Sequence, residues 1–483
     1  MSPSLARSAA RGALFTLGAQ GAKILIQLAS VVVLSRLLSP HDYGLIAVVL
    51  VVIGVGEIFR DFGLTSASVQ TPELSNGQRD NLFWINAAIG VVLAAIMFSL
   101  SWPLAHAMGE PELLQMAQVL SLIFVINGVT TQYRAQLLRG LRFGATAVID
   151  ILAAVLALGA AIVAAVIGIG YWSLVAQQLV SAVVLLLGAV VAGRWLPRWY
   201  SRRHSIRSLV RFGWNLVATN LLTYAGSQID TILVAARLGT TPLGIYNRAY
   251  QLVMTPVAQI RSPISSVAIP VLSRIQQDPK RFDAFIVSGQ LALGYGLGIP
   301  LLLVAGLADP IAHIMLGPQW GETVPVIRLF ALAALLSTLA FVGYWVYVSR
   351  GLGAQLFRYS MVSLAIRAIC IGAGSFFGLV GIAIGVVAAP AFAWPLSIFW
   401  LSRVTIVPTK RLYGGAFRIL VAALLSGAIA WAASFRLGDA WLELAVGIGA
   451  GAVAVCALLI LPAYRRDALS LIGFLRLLIG RHG

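Results

Sequence analysis

The amino-acid sequence predicts an all-α, polytopic membrane protein. It has fourteen transmembrane helices, set as two six-helix lobes followed by a C-terminal helix pair. Three observations carry this prediction. Of 483 residues, 60% are hydrophobic and only 10% charged, with a mean hydropathy of +0.92, whereas an ordinary soluble domain is about 25% charged. The apolar residues gather in runs close to the roughly 20 residues that a spanning helix needs. Finally, the basic residues are segregated to alternate loops. Soluble enzymes, disordered scaffolds and disulfide-stapled secreted domains are excluded by the first two observations alone.

Apolar runs broken by short polar stretches place the spans at 13–35, 43–62, 82–105, 113–133, 146–168, 171–193, 212–236, 243–272, 285–307, 323–348, 359–377, 379–401, 417–435 and 441–462. The first run is long enough to cross, and no small-residue cleavage site ends it before the second begins, so it reads as a retained helix rather than a signal peptide. The eighth is long and contains Pro256, Pro263 and Pro270, which predict bends. The eleventh and twelfth divide near Gly378.

The positive-inside rule tests the count. With a cytoplasmic N-terminus and alternating loops, 25 of the 34 Lys and Arg residues fall on the cytoplasmic side. Only Arg36, Arg237 and Arg436 fall outside, and six lie within spans: Lys23, Arg60, Arg248, Arg261, Arg328 and Arg367. An error in the count would invert every loop beyond it and blur this asymmetry. Both termini are therefore expected to be cytoplasmic. The same segregation explains the net charge of +18 by loops facing anionic lipid rather than by nucleic acid. Cys370 and Cys456 lie in apolar runs as packing residues, and five scattered histidines suggest no metal site. No cofactor is called for. The outward loops are too short to fold into domains, so any activity lies among the membrane-embedded helices.

The first two spans echo the seventh and eighth. Arg36-Leu37, Pro40 and Tyr43-Gly44-Leu45 resemble Arg237-Leu238, Pro242 and Leu243-Gly244-Ile245 at an offset close to 200 residues. Both copies begin inside, as in a parallel duplication of six helices, the arrangement of many transporters. The predicted divisions are residues 1–205, 206–402 and 403–483, the last comprising helices 13 and 14 and a basic tail.

Charges inside spans are costly and normally face a cavity or a partner. Lys23 shares one helical face with Gln20 and Gln27, either lining a cavity or forming a helix-contact stripe. Glu57, Arg60 and Asp61 stand at i, i+3 and i+4 and can pair locally, as an interfacial ion pair or a functional one. Asp230 and Arg248 lie at similar depths on either side of a short turn, placed for a structural clasp, a gate or a proton-sensitive switch. Arg261, beside Pro263, is the best single candidate for holding an anion, because a guanidinium grips phosphate bidentately and stays charged. Arg328 and Arg367 can snorkel or bond to carbonyls. The excess of cations over acids within the spans suits an anionic headgroup better than a cationic drug.

Leu34-Ser35-Arg36-Leu37-Leu38-Ser39-Pro40 with Tyr43-Gly44-Leu45 begins a series of strings spread over roughly the first 350 residues. Asp61-Phe62-Gly63-Leu64, Leu82-Phe83-Trp84-Ile85-Asn86, and Tyr133-Arg134-Ala135 with Leu137-Leu138-Arg139 follow. Ile229-Asp230, Leu243-Gly244-Ile245-Tyr246-Asn247-Arg248-Ala249-Tyr250, and Gly317 with Trp320 and Pro325-Val326-Ile327-Arg328 complete it. In order and spacing the sequence resembles the polysaccharide-transport family of the multidrug/oligosaccharidyl-lipid/polysaccharide flippase superfamily, similar to colanic-acid and teichuronic-acid exporters. The resemblance implies two six-helix lobes around a V-shaped cavity in the bacterial cytoplasmic (inner) membrane. It implies a polyprenyl-diphosphate-linked oligosaccharide repeat unit as cargo, turned to the outer leaflet by alternating access for surface polysaccharide synthesis.

By analogy with the related lipid II flippase, Lys23, Arg60 and Arg261 would hold the diphosphate, with Gln20 and Gln27 beside them. Glu57, Asp61, Asp230 and Arg248 would serve gating or ion coupling. A polysaccharide polymerase and glycosyltransferases are candidate protein partners, alongside membrane lipids. A multidrug/cation antiporter of the same superfamily is the rival reading, although it would want acids in the cavity. A membrane polymerase or glycosyltransferase would need a large outward loop or an acidic catalytic cluster.

Overall fold

The computed structural model describes the backbone of residues 3–61, 75–201, 207–435 and 437–479, and side chains at 18, 20–60, 75–201, 217, 220–221, 223–435 and 437–472. Helices dominate, and the described residues include no strand. In chain order they are α1 (Pro3–Leu37), α2 (Pro40–Asp61), α3 (Asn76–Met108), α4 (Glu112–Leu120), α5 (Leu122–Arg139), α6 (Phe143–Val166), α7 (Trp172–Gly193), α8 (Arg207–Leu238) and α9 (Thr240–Ile275). Then follow α10 (Pro279–Gly306), α11 (Ala308–Met315), α12 (Thr323–Ser349), α13 (Gly353–Gly374), α14 (Gly378–Val404), α15 (Thr409–Ser434), α16 (Ala440–Leu458) and α17 (Pro462–Ile479).

Among the described residues, every predicted span lies mostly on helix. Eleven stretches among the described residues are long and apolar enough to cross a membrane, one of which, Gly353–Val404, contains both α13 and α14. The helices α8 and α9 are not among them; these two carry Asp230, Arg248 and Arg261 amid many polar neighbours. The fourth predicted span divides at Ser121 into α4 and α5, where the Ser121 hydroxyl donates to the Gln118 carbonyl at 2.6 Å.

Local chemistry sets the helix ends. Ser39 opens α2, with Pro40 in the first turn where its missing N–H is harmless. The Asp42 carboxylate accepts from the Ser39 N–H at 2.8 Å, and the Ser39 hydroxyl accepts from the Asp42 N–H at 3.2 Å. Ser75 and Gln78 make the same reciprocal cap on α3. The turn between α13 and α14 is a three-residue 3-10 segment ending at Gly378, whose φ of 73° lies in the region that favours glycine.

The chain forms two compact units, residues 1–244 and 245–483. In the first, α6 packs on α7 and α1, α5 on α3 and α7, and α2 on α8. The repeat noticed in the sequence becomes a reciprocal contact here. A Cβ added to Gly44 would lie 1.8 Å from the Thr240 carbonyl oxygen, and one added to Gly244 would lie 1.8 Å from that of Pro40. Each motif glycine thus lets the other motif's backbone come close. Beside this crossing, Glu110 accepts from the Thr240 hydroxyl at 2.6 Å and pairs with His41 at 3.2 Å, tying three loops of one predicted side together.

In the second unit α10 packs on α15 and α12, α14 on α12 and α13, and α15 on α16. The helix α17 is held against it by Asp467. This buried carboxylate accepts from Arg418 Nε at 2.7 Å, Arg418 Nη2 at 2.8 Å and the Tyr295 hydroxyl at 2.9 Å. The expected basic tail therefore contains a docked helix.

Candidate functional site

Three candidate residues of the first unit, Lys23, Glu57 and Arg60, sit in two polar clusters. In one, α1 brings Lys23 to Asp150 of α6, with Nζ 3.0 Å from Oδ2. The other oxygen of Asp150 accepts from Arg134 Nη1 of α5 at 2.8 Å. One carboxylate is thus shared between two cations from two different helices. Lys23 retains 40% of its side-chain exposure and Arg134 33%, against 19% for Asp150. Gln20 and Gln27 are half-buried on the same helix. Asp150 and Arg134 were not among the candidates read from the sequence, although a lone acid within an apolar run signals a partner elsewhere.

The second cluster joins α2 to α5. Arg60 forms the expected ion pair with Glu57, one turn earlier, and also donates to the Thr131 hydroxyl and, at 2.9 Å, to the Asn127 carbonyl. The Asn127 amide in turn donates to Glu57 Oε1 at 2.9 Å. The arginine is thus held as a bridge between two helices. Asp61 ends α2, and its side chain lies outside the described residues.

Asp230 is 1% exposed within the first unit and Arg248 5% exposed within the second, where its guanidinium donates to Gln251 Oε1 at 3.0 Å. Arg328 pairs with Asp309.

Arg261 has different surroundings. It lines a cleft of about 290 Å³ within the second unit, together with Arg367, Tyr250, Tyr359, Ser337 and Ser363. Its guanidinium lies 5.0 Å from the centre of the Phe341 ring, and its buried Nε makes no hydrogen bond. No described lining residue is acidic. Two guanidinium groups and the Tyr250 phenol supply donors suited to phosphate oxygens, while the Tyr359 and Ser337 hydroxyls, which donate to the Ala393 and Ala333 carbonyls at 3.0 and 2.7 Å, can accept. Pro390 on the facing wall and Met254 add apolar surface. Chemically, the cleft can accept an anion bearing hydroxyl groups.

Comparison with known proteins agrees with this architecture. Over residues 33–325 the chain matches the family described as polysaccharide biosynthesis protein. It is 29% identical over 342 residues to the succinoglycan biosynthesis transport protein ExoT of Rhizobium meliloti (strain 1021), covering 70% of this chain and 68% of that one. The lipopolysaccharide biosynthesis protein WzxC of Escherichia coli (strain K12) is 25% identical over 395 residues, covering 80% and 79%. Among solved structures, the lipid II flippase MurJ in an inward closed conformation superposes with a TM-score of 0.70 at 13% identity, over 92% of this chain and 98% of that one. That likeness establishes a shared fold. With well over half its length matched, this multi-pass membrane protein belongs to the polysaccharide biosynthesis protein family.

Proposed function

We propose that the protein is a flippase. It moves a polyprenyl-diphosphate-linked oligosaccharide repeat unit across the bacterial cytoplasmic membrane by alternating access, for surface polysaccharide synthesis, and it is not an enzyme. Fourteen spans with both termini cytoplasmic follow from the loop charges, and their grouping as 1–205, 206–402 and 403–483 from the sequence repeat. Family membership and the transport role named for its relative ExoT support this reading. The observation that carries it is the Arg261 cleft: a half-buried guanidinium over the Phe341 ring, with hydroxyl groups and no acid on the described lining. A diphosphate needs cations, the sugars need hydroxyl partners, and the isoprenoid tail stays in lipid.

Arg261 is the principal diphosphate ligand in this proposal. Lys23 and Arg60, with Gln20 and Gln27, form a second station, where Asp150 and Glu57 hold the cations until cargo arrives. Glu57, Asp61 and Asp230 are the candidate groups for proton or sodium coupling, with Arg248 as a gating residue. The membrane potential contributes about 2.3 kcal/mol per elementary charge per 100 mV to any charge carried across.

The test is reconstitution in liposomes, following leaflet exchange of a polyprenyl-diphosphate oligosaccharide. Exchange by the wild type that slows in Arg261→Ala supports the reading. No exchange by the wild type, or export of ethidium-like cations instead, overturns it.

A further inference from the structure

A second basic cleft, separate from the Arg261 site, lies within the first unit. Its volume is about 340 Å³, and its walls come from the start of α3, the end of α5 and the end of α7. Arg79, Arg139 and Arg142 contribute the charge, with Gln132 and Gln136 beside them. No described lining residue is acidic; Asp80, the acid in electrostatic contact with Arg79, is outside the lining.

Two features show a site that is electrostatically and chemically unfinished. The buried Nε of Arg79 makes no hydrogen bond, while its guanidinium lies 4.2 Å from the centre of the Trp195 ring. The side-chain oxygens of Gln132, 1% exposed, and of Gln136 are also buried without a partner. Buried acceptors of this kind are normally satisfied. Cations beside orphaned acceptors ask for a ligand that brings both phosphate oxygens and hydroxyl donors. The backbone supports a built site as well. Leu141 and Arg194, the two non-glycine residues with positive φ among those described, at 53° and 46°, flank the cleft directly, and such conformations persist where surrounding structure enforces them.

The cleft's neighbours locate it at a lipid–water boundary. Trp84 stacks on Trp199 at 4.8 Å, and Trp199 and Leu196 are 82% and 81% exposed. The segment that carries them is strapped to α3 by paired Asn81–Ser201 hydrogen bonds of 2.7 and 2.8 Å and by Trp84 Nε1 donating to the Arg198 carbonyl at 2.8 Å. Exposed tryptophans beside clustered arginines characterise the headgroup level of a membrane.

We infer that this cleft binds the hydroxyl-bearing phosphate headgroup of a lipid in the leaflet facing the arginine-rich loops. The phosphate sits on Arg79 and Arg142, and hydroxyls donate to Gln132 and Gln136. Two lipids share this chemistry, a polyol phospholipid such as phosphatidylglycerol and a sugar-bearing polyprenyl diphosphate.

Native mass spectrometry of the full chain, titrated with phosphatidylglycerol, phosphatidylethanolamine or a polyprenyl-diphosphate monosaccharide, tests the site. At least one of the two hydroxyl-bearing lipids is expected to lose fivefold or more in occupancy in Arg79→Gln, with phosphatidylethanolamine unchanged. Retention of phosphatidylglycerol alone identifies a resident lipid; displacement of it by the polyprenyl lipid identifies a cargo dock. Because Arg79→Gln also removes the contact with Trp195, Gly140→Asp is the second variant. The nearest atoms to its new Cβ are at 3.4 Å or beyond, leaving room for a carboxylate that should repel the phosphate about tenfold. Unchanged binding of both hydroxyl-bearing lipids in Gly140→Asp, or equal loss of phosphatidylethanolamine, overturns the proposal. Neither result depends on whether the protein flips lipid.

Discussion

Lys23 and Arg60 in the first unit are held differently from Arg261 in the second, where Arg328 also meets an acid, Asp309. In residues 1–244, Lys23 meets Asp150 and Arg60 meets Glu57. In residues 245–483, Arg261 meets the Phe341 ring and a cleft without an acid on its described lining. A cation matched to a carboxylate is largely neutralised before any ligand arrives, and an incoming phosphate must compete with the resident anion. A cation over an aromatic face keeps its charge available, since the ring supplies attraction without a formal countercharge. At the repeat's offset of close to 200 residues Arg60 corresponds to Arg261, so corresponding positions have opposite electrostatic settings.

The largest effect is therefore expected at Arg261. Losing one charge-assisted hydrogen-bonding partner of a phosphate costs about 1.5–3 kcal/mol, so Arg261→Ala should slow flipping by roughly 10- to 150-fold at constant expression. Arg261→Lys should restore only part of the rate, because an ammonium cannot reproduce the planar fork. Equal rates in Ala and wild type would erase the contrast. Asp150→Asn comes next, and it acts on stability. It leaves Lys23 and Arg134 without their shared anion, which should cost ~2 kcal/mol in denaturant or thermal unfolding in detergent. Adding Lys23→Met should recover part of the loss, and a strictly additive double variant would show that the two residues are not coupled.

Much of the fold was legible because hydropathy and loop charge are local properties. Among the described residues each expected span lies mostly on helix, and Gly378 turns the chain where a break was expected. The pair Gly44 and Gly244, noticed only as a repeat, marks a crossing where backbone meets backbone. The partners of the charges were not legible. Lys23 and Asp150 are 127 residues apart, and nothing in either segment's periodicity encodes that α1 will pack on α6. In the sequence Arg134 read as a cytoplasmic charge within a family string and not as a site residue, yet its side chain meets Asp150. The tail was similarly opaque. A predominantly basic segment reads as solvated until Asp467 is seen buried against Arg418.

That same Asp467 shows that the second unit is not short of carboxylates; it uses this one away from the cleft lining, to dock a helix. Asp467→Asn weakens the bidentate contact with Arg418 while conserving shape, and should cost about 1–2 kcal/mol. Limited proteolysis should then release α17 before the remaining helices unfold. A protease pattern unchanged from wild type would mean that apolar packing alone holds the tail.

The smallest effect is expected at Glu57. In Glu57→Gln the side chain can still accept from the Asn127 amide, and Arg60 keeps its bonds to Asn127 and Thr131. Only the ion pair is lost, worth about 1 kcal/mol or less at such partly exposed positions. The electrostatic consequence is larger than the structural one, because Arg60 then loses its carboxylate partner among the described residues. If cargo competes with Glu57 for Arg60, the variant should bind polyprenyl diphosphate more tightly than wild type, with its unfolding midpoint nearly unmoved. If binding weakens instead, Glu57 is needed to position the guanidinium, and the second station is an orienting network rather than a neutralised reserve.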